Sequence, residues 1–243
     1  MEIEELKHTH DDYKEYVDDW KLYRAAYCGT RELIKIDVLE KHLRESEKDF
    51  KRRKSQAYGY GYTSRIINVL NSYITQKGES NNYGAIGDDP LFRMFLNDAD
   101  KQCTPYDVVI NTLQAWASVF GHMGIIVDKP AITTNNLADA ISNNVYPYIS
   151  SYSPLAILDW KFKTGQSFNE YEYLKLKTDT GIYRIWAPEF WEEWEIQDKK
   201  PVLVRDGENQ LNKIPFFLMM SPDQYKPGIG KSDIAEIAKM DVM

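Results

Sequence analysis

The sequence predicts an α+β protein, with a helical N-terminal half followed by mainly antiparallel β segments. Three observations carry this expectation. Apolar residues recur at spacings of three and four up to about residue 120. From His122 onward they alternate or run in short blocks. Helical and β signals are segregated along the chain, which argues against a doubly wound sheet, and no internal repeat is visible.

Residues 11–27 read as an amphipathic helix, with Tyr13, Tyr16, Val17, Trp20, Tyr23 and Tyr27 on one stripe. Asp12 and Glu15 stand at capping-box spacing, and Gly29 marks the stop. After 34–43 comes a charged segment, 44–54, read as a solvated helix face with paired charges. Tyr58-Gly59-Tyr60-Gly61-Tyr62 interrupts the pattern. A helix follows over about 64–74, with Ile66, Ile67, Leu70, Tyr73 and Ile74 apolar. The stretch 77–89 is rich in breakers and reads as a mobile loop. Pro90 opens one helix and Pro105 a longer one, which Gly121 ends.

Residues 123–127 form a short apolar run, the mark of a buried strand. The stretch 129–144 reads as looped or partly helical. Extended segments are expected over 145–152, 155–162, 171–176, 182–186 and 188–196. Val202-Leu203-Val204 leads into Asp206-Gly207, a turn signal, and then to 214–218. A loop over 221–230 precedes a helix start at Ser232 or Asp233. The expected organisation is a mainly helical part at 1–121, a β-rich part at 122–231, and the start of a helix at 232–243.

The 243 residues suffice for one large domain or two small ones. Lys plus Arg is 30 against 37 Asp plus Glu, a net charge of -7 that argues against a broadly basic nucleic-acid surface. The 17 Tyr, 6 Trp and 9 Phe suit interfaces as well as cores. No run approaches the roughly 18 apolar residues of a membrane helix. The acidic, helix-like N-terminus is no signal peptide, so no membrane partner is expected. Cys28 and Cys103 cannot make a disulfide framework or a Cys-based zinc site, and are expected to be reduced and partly buried.

Little in the sequence carries catalytic chemistry. Gly228-Ile229-Gly230-Lys231-Ser232 resembles the end of a phosphate-binding loop, but the pattern needs a glycine where Tyr225 stands. A turn capped by Ser232 or Asp233 is the plainer reading. His8, His10, His42 and His122 lack partners at metal-ligand spacing, and His122 reads as a buried or edge residue rather than a base. Glu189, Glu192, Glu193 and Glu195 lie among Phe190, Trp191 and Trp194. Glu193 and Glu195 would share a strand face, a pair a glycosidase could use if one carboxyl were raised by apolar neighbours. This Trp/Glu-rich 186–195 segment supports an alternative function, binding or cleavage of carbohydrate, with Trp160 nearby in the same reading. No catalytic, cofactor-binding or metal residue is assigned, and no cofactor is expected.

Five segments, in order, resemble the portal (head-to-tail connector) proteins of tailed bacteriophages. They are Trp20, Tyr23, Arg24, Tyr27 and Gly29; Phe50-Lys51-Arg52-Arg53 through Tyr58-Gly59-Tyr60 to Arg65-Ile66-Ile67; and Phe120-Gly121-His122-Met123-Gly124-Ile125-Ile126-Val127-Asp128-Lys129-Pro130. Then come Tyr146-Pro147-Tyr148 with Tyr152-Ser153-Pro154-Leu155-Ala156-Ile157-Leu158-Asp159-Trp160, the most specific of the five, and Asn212-Lys213-Ile214-Pro215-Phe216 with Ser232-Asp233-Ile234. The likeness runs from about Trp20 to Ile237 and corresponds to the outer, wing-like part of the family. Portal subunits are longer, so the stem, clip and crown would lie after Met243, in a chain either truncated or belonging to a shorter relative. The end at Asp241-Val242-Met243, early in an expected helix, reads as a cut.

The resemblance implies a non-enzymatic virion protein, a homo-oligomeric ring of twelve subunits at one capsid vertex, assembled in the host cytoplasm. It implies contacts with the major capsid protein, the terminase and a head-tail adaptor. Double-stranded DNA would pass through the channel during packaging and ejection, with ATP hydrolysis left to the terminase. An acidic chain suits such a conduit, because dense Lys and Arg would hold the phosphates.

Overall fold

A computed structural model describes residues 2–36, 39–76, 81–130, 132–163 and 170–241. The architecture is α+β, helical in its first half and stranded in its second. Helices α1 (Ile3–Lys7), α2 (Asp11–Cys28), α3 (Thr30–Lys35), α4 (Glu47–Gln56), α5 (Tyr62–Thr75), α6 (Pro90–Asn97) and α7 (Tyr106–Phe120) come first. Strand β1 (His122–Asp128) follows, and then α8 (Leu137–Ser142). The remaining strands are β2 (Tyr148–Tyr152), β3 (Ile157–Phe162), β4 (Tyr171–Lys177), β5 (Tyr183–Trp186), β6 (Phe190–Gln197), β7 (Lys200–Glu208), β8 (Phe216–Met220), β9 (Gln224–Lys226) and β10 (Ile229–Gly230).

Local chemistry explains the helix ends. His10, not Asp12, caps α2: its Nδ1 accepts from the Asp12 N–H at 3.2 Å. Asp12 and Glu15 instead receive Lys226 Nζ at 2.8 and 2.7 Å, which ties the β9–β10 hairpin to α2. Gly29 ends α2 with φ 93, a backbone conformation that glycine takes without Cβ strain. Asp89 caps α6 by accepting from the Leu91 and Phe92 N–H groups, and Pro90 takes the first helical position. Of the expected loop 77–89, residues 77–80 lie outside the described residues, and Gly84–Asp88 forms a 3-10 turn.

The strands form two main antiparallel sheets. One has the order β2-β1-β8, with β1 in the middle, and the other the order β3-β4-β5-β6-β7. Asp206-Gly207 is no turn; it lies inside β7, paired with Glu192 and Trp191. A Cβ on Gly207 would stand 2.9 Å from the Trp191 indole, so the ring requires the glycine. The actual hairpin turn is Asp198-Lys199, with φ 48 and 61. The expected final loop contains the β9–β10 hairpin. Where a helix start was expected, residues 233–237 form turns and Ala238–Asp241 a 3-10 turn.

One core spans the two halves. Trp20, Leu113, Phe120, Ile126, Trp160, Leu174, Phe216 and Ile234 belong to it. A smaller cluster of Leu6, Leu158, Tyr183 and Ile185 lies on the other face of the five-stranded sheet, with Trp194 and Ile196 packed against it. Helix α1 covers this second face as a strap. Its Glu5 carbonyl accepts from the buried Lys175 Nζ at 2.9 Å, and His8 Nδ1 stands 3.0 Å from Asp159 Oδ2.

Candidate functional site

The glycine-rich motif and His122 meet at the junction between α7, β1 and the C-terminal hairpin. Gly121 ends α7 with φ 89 and turns the chain into β1. A Cβ on Gly230 would lie 1.8 Å from the Gly121 carbonyl oxygen, and one on Gly121 would lie 2.2 Å from that of Gly230. The two backbones are thus in direct contact. The glycine-rich stretch serves this contact rather than a ligand. Ser232 Oγ donates to the Val119 carbonyl at 2.5 Å, and the Lys231 N–H donates to the Asp223 carbonyl at 2.7 Å. The Gly230 N–H donates to His122 Nδ1 at 3.3 Å. Those main-chain and hydroxyl groups that would cradle a phosphate are therefore already engaged within the fold.

His122 is buried, edge-on to Trp20 at 5.6 Å between ring centroids. Burial pushes its imidazole down to about 4, so the ring is neutral at pH 7 and accepts the Gly230 N–H. His10 stacks on Trp160 at 4.2 Å. His42 Nδ1 accepts from the Arg44 N–H at 3.3 Å. Among the described residues no three His, Cys, Asp or Glu side chains cluster as a metal site would require. Cys28 and Cys103 are both exposed, contrary to the expectation of partial burial; each sits on a solvent-facing helix end or loop. No helix among the described residues is long and apolar enough to cross a membrane.

The Trp/Glu segment becomes β6. Glu193 is 4 % exposed and sits between two guanidinium groups. Arg184 donates to its Oε1 from Nε at 3.0 Å and from Nη2 at 2.5 Å. Arg205 Nε stands 3.2 Å from Oε2, an ion pair without hydrogen-bond alignment. Arg184 also donates to the Tyr152 hydroxyl at 3.1 Å, linking the two sheets. Glu192 accepts from Trp194 Nε1 at 2.7 Å, and Glu195 accepts from Gln197 Nε2 at 3.0 Å. Trp160 and Trp186 are buried in the core, so of the aromatic set only the half-buried Trp191 and Trp194 and the exposed Phe190 reach the surface.

A cleft of about 810 Å³ lies elsewhere. Its walls are α7, through Thr112 and Trp116, β2, through Ser150 and Tyr152, and the turn carrying Lys177 and Asp179. Arg24 and Lys177 are matched there by Asp100 and Asp179, so the cleft has no dominant sign of charge. Many of its polar groups are hydroxyls, and no nucleophile–base pair is formed among them. Sequence reasoning missed this cleft because its walls come from segments about 150 residues apart.

Compared with known proteins, the chain matches no protein-family model and no curated protein sequence.

Proposed function

We propose that this chain is the wing part of a phage portal subunit, one of twelve in a ring at a single capsid vertex. In this reading the ring contacts the major capsid protein, the terminase and a head-tail adaptor, and DNA passes through its channel. The chain performs no chemistry itself and belongs to the virion.

The observation that supports the reading is convergence. The five segments carrying the likeness are spread over most of the sequence, yet each contributes to one core. Trp20 and Tyr23 come from the first, Ile67 from the second, and Phe120, Met123 and Ile126 from the third. Tyr152, Ile157 and Trp160 come from the fourth, and Ile214, Phe216 and Ile234 from the fifth. Segments that build one core constrain one another, so an ordered likeness across them is what a shared scaffold would produce. The net charge of -7 agrees with a conduit that must not hold the phosphates of passing DNA.

The test is electron microscopy of the purified product of the complete reading frame that encodes this chain. A closed ring with a central channel is the expected result. A monodisperse monomer at every concentration would overturn the reading.

A further inference from the structure

Helix α4 adds no buried residue to the core. Its outer face carries Lys48, Lys51, Arg52 and Ser55 at i, i+3, i+4 and i+7, all of them exposed. The neighbouring carboxylates are turned elsewhere. Glu45 pairs with Arg53 at 2.8 Å, Glu47 pairs with Lys41, and Asp49 accepts from the Ser46 hydroxyl at 2.6 Å. Among the described residues no carboxylate stands within ion-pair distance of Lys48, Lys51 or Arg52.

An aromatic row continues from the end of this helix. Arg52, Gln56 and Ala57 border an open depression of about 310 Å³ with Leu39. Leu39 and Ala57 also border the next depression, together with Tyr58, so the two adjoin, with Arg52 at one end and Tyr58 at the other. Tyr58 meets Tyr60 edge-on at 5.9 Å between ring centroids, and Tyr60 stacks on Tyr62 at 5.6 Å. The exposed Arg65 lies one turn along α5 from Tyr62, on the same helix face.

The row is open and held in place. Its three rings are 47 % to 65 % exposed, and none belongs to either apolar cluster. The Gly59 N–H donates to Thr30 Oγ1 at 2.9 Å, and Ser64 Oγ donates to the Gly61 carbonyl at 3.0 Å. Tyrosines anchored through their intervening glycines thus stand between cations placed at both ends.

We propose that this track binds single-stranded nucleic acid. Tyr58 and Tyr60 stack on bases, while Lys48, Lys51, Arg52 and Arg65 hold the flanking phosphates. Every base has a flat face, so a row of rings between cations takes a single strand without reading its sequence. A duplex keeps its bases stacked inside, and an acidic peptide would engage the cations alone; both would leave the rings idle. The net charge of -7 does not oppose the site, since exposed charges are screened within about 8 Å at physiological salt. The inference goes beyond the ring-subunit reading and needs no ring.

Fluorescence anisotropy of the full chain with a labelled oligothymidylate of about twelve nucleotides tests it. Binding is expected, with log affinity falling against log salt at a slope of about -3, as four phosphate contacts would give. Tyr58→Ala/Tyr60→Ala and Lys51→Glu/Arg52→Glu change only exposed positions, and circular dichroism checks that each folds. Each is expected to weaken binding about tenfold or more. The charge variant should also flatten the salt slope, whereas the tyrosine variant should keep it. Tyr58→Phe/Tyr60→Phe retains the rings and should bind as the parent does. No binding by the parent, a tyrosine-to-alanine variant that binds equally well, or equal binding of a duplex or of polyglutamate would overturn the proposal. If one variant fails to fold, the other and the competing probes decide. Ring formation by the complete protein is read separately, and neither result bears on the other.

Discussion

Gly121 and Gly230 touch through their backbones, each filling the space in which the other would carry a Cβ. The contact fixes the end of α7 against the C-terminal hairpin, which the Ser232 to Val119 and Gly230 to His122 hydrogen bonds then hold. It joins the helical half to the C-terminal strands.

That contact predicts a steep cost for a single methyl group. Gly230→Ala places a carbon 1.8 Å from a carbonyl oxygen that cannot swing aside. A loss above about 3 kcal/mol, or failure to fold, is expected. Gly84→Ala is the control: φ is 56 but nothing lies within 4 Å, so only backbone strain of about 1 kcal/mol applies. Urea midpoints decide the matter, and similar midpoints for the two variants would contradict the close approach.

Glu193 between Arg184 and Arg205 predicts a structural rather than catalytic phenotype. Glu193→Gln removes the charge facing a half-buried Arg184 and is expected to cost about 2–3 kcal/mol in urea unfolding. Replacing the pair by Arg184→Met with Glu193→Leu should recover much of that loss. A single variant as stable as the parent would show that the pair contributes nothing.

His122 makes stability depend on pH with a definite sign. Its folded value, about 4, lies below the 6.5 of the unfolded chain. The unfolded state therefore binds the extra proton first. The histidine's contribution is complete above pH 6.5 and is lost as pH falls through about 4, at up to about 1.4 kcal/mol per pH unit. His122→Gln keeps an acceptor for the Gly230 N–H and should flatten the profile in this window by about one proton. Parallel profiles for parent and variant would refute the assignment.

Leu6 predicts a local opening. Leu6→Ala empties a fully buried site in the small cluster, a change worth about 2–5 kcal/mol in a core. Because α1 is a strap over one sheet face, the loss should fall mainly on it. Trypsin cleavage after Lys7 is expected to accelerate well before the global unfolding midpoint moves. A large drop in the midpoint with no faster cleavage would mean that strap and domain unfold together.

Much of the fold was legible in the sequence. The stripe from Tyr13 to Tyr27 and the run from Val108 to Phe120 gave α2 and α7 nearly to the residue, because periodicity and terminal glycines agree there. The errors have physical causes. Asp206-Gly207 has turn composition, but the glycine answers to the Trp191 ring across the strands. Asp198-Lys199 makes the real turn without any glycine, so no local signal marks it. Asp12 and Glu15 have capping-box spacing but are engaged by Lys226, more than two hundred residues later. The candidate surface was half legible: the alternation Tyr58-Gly59-Tyr60-Gly61-Tyr62 could be counted, but its anchor at Thr30 and the groove at Leu39 depend on the fold. The burial of Glu193 was invisible for the same reason, since its partners sit on neighbouring strands.

The strap also has a consequence in time. Glu5 finds its partner 170 residues downstream, at Lys175. A nascent chain emerging at about 5–20 residues per second exposes Leu6 for roughly ten to thirty seconds before β4 leaves the ribosome. Helix α1 is thus made long before the strands it docks on, and Leu6 stays uncovered until they arrive.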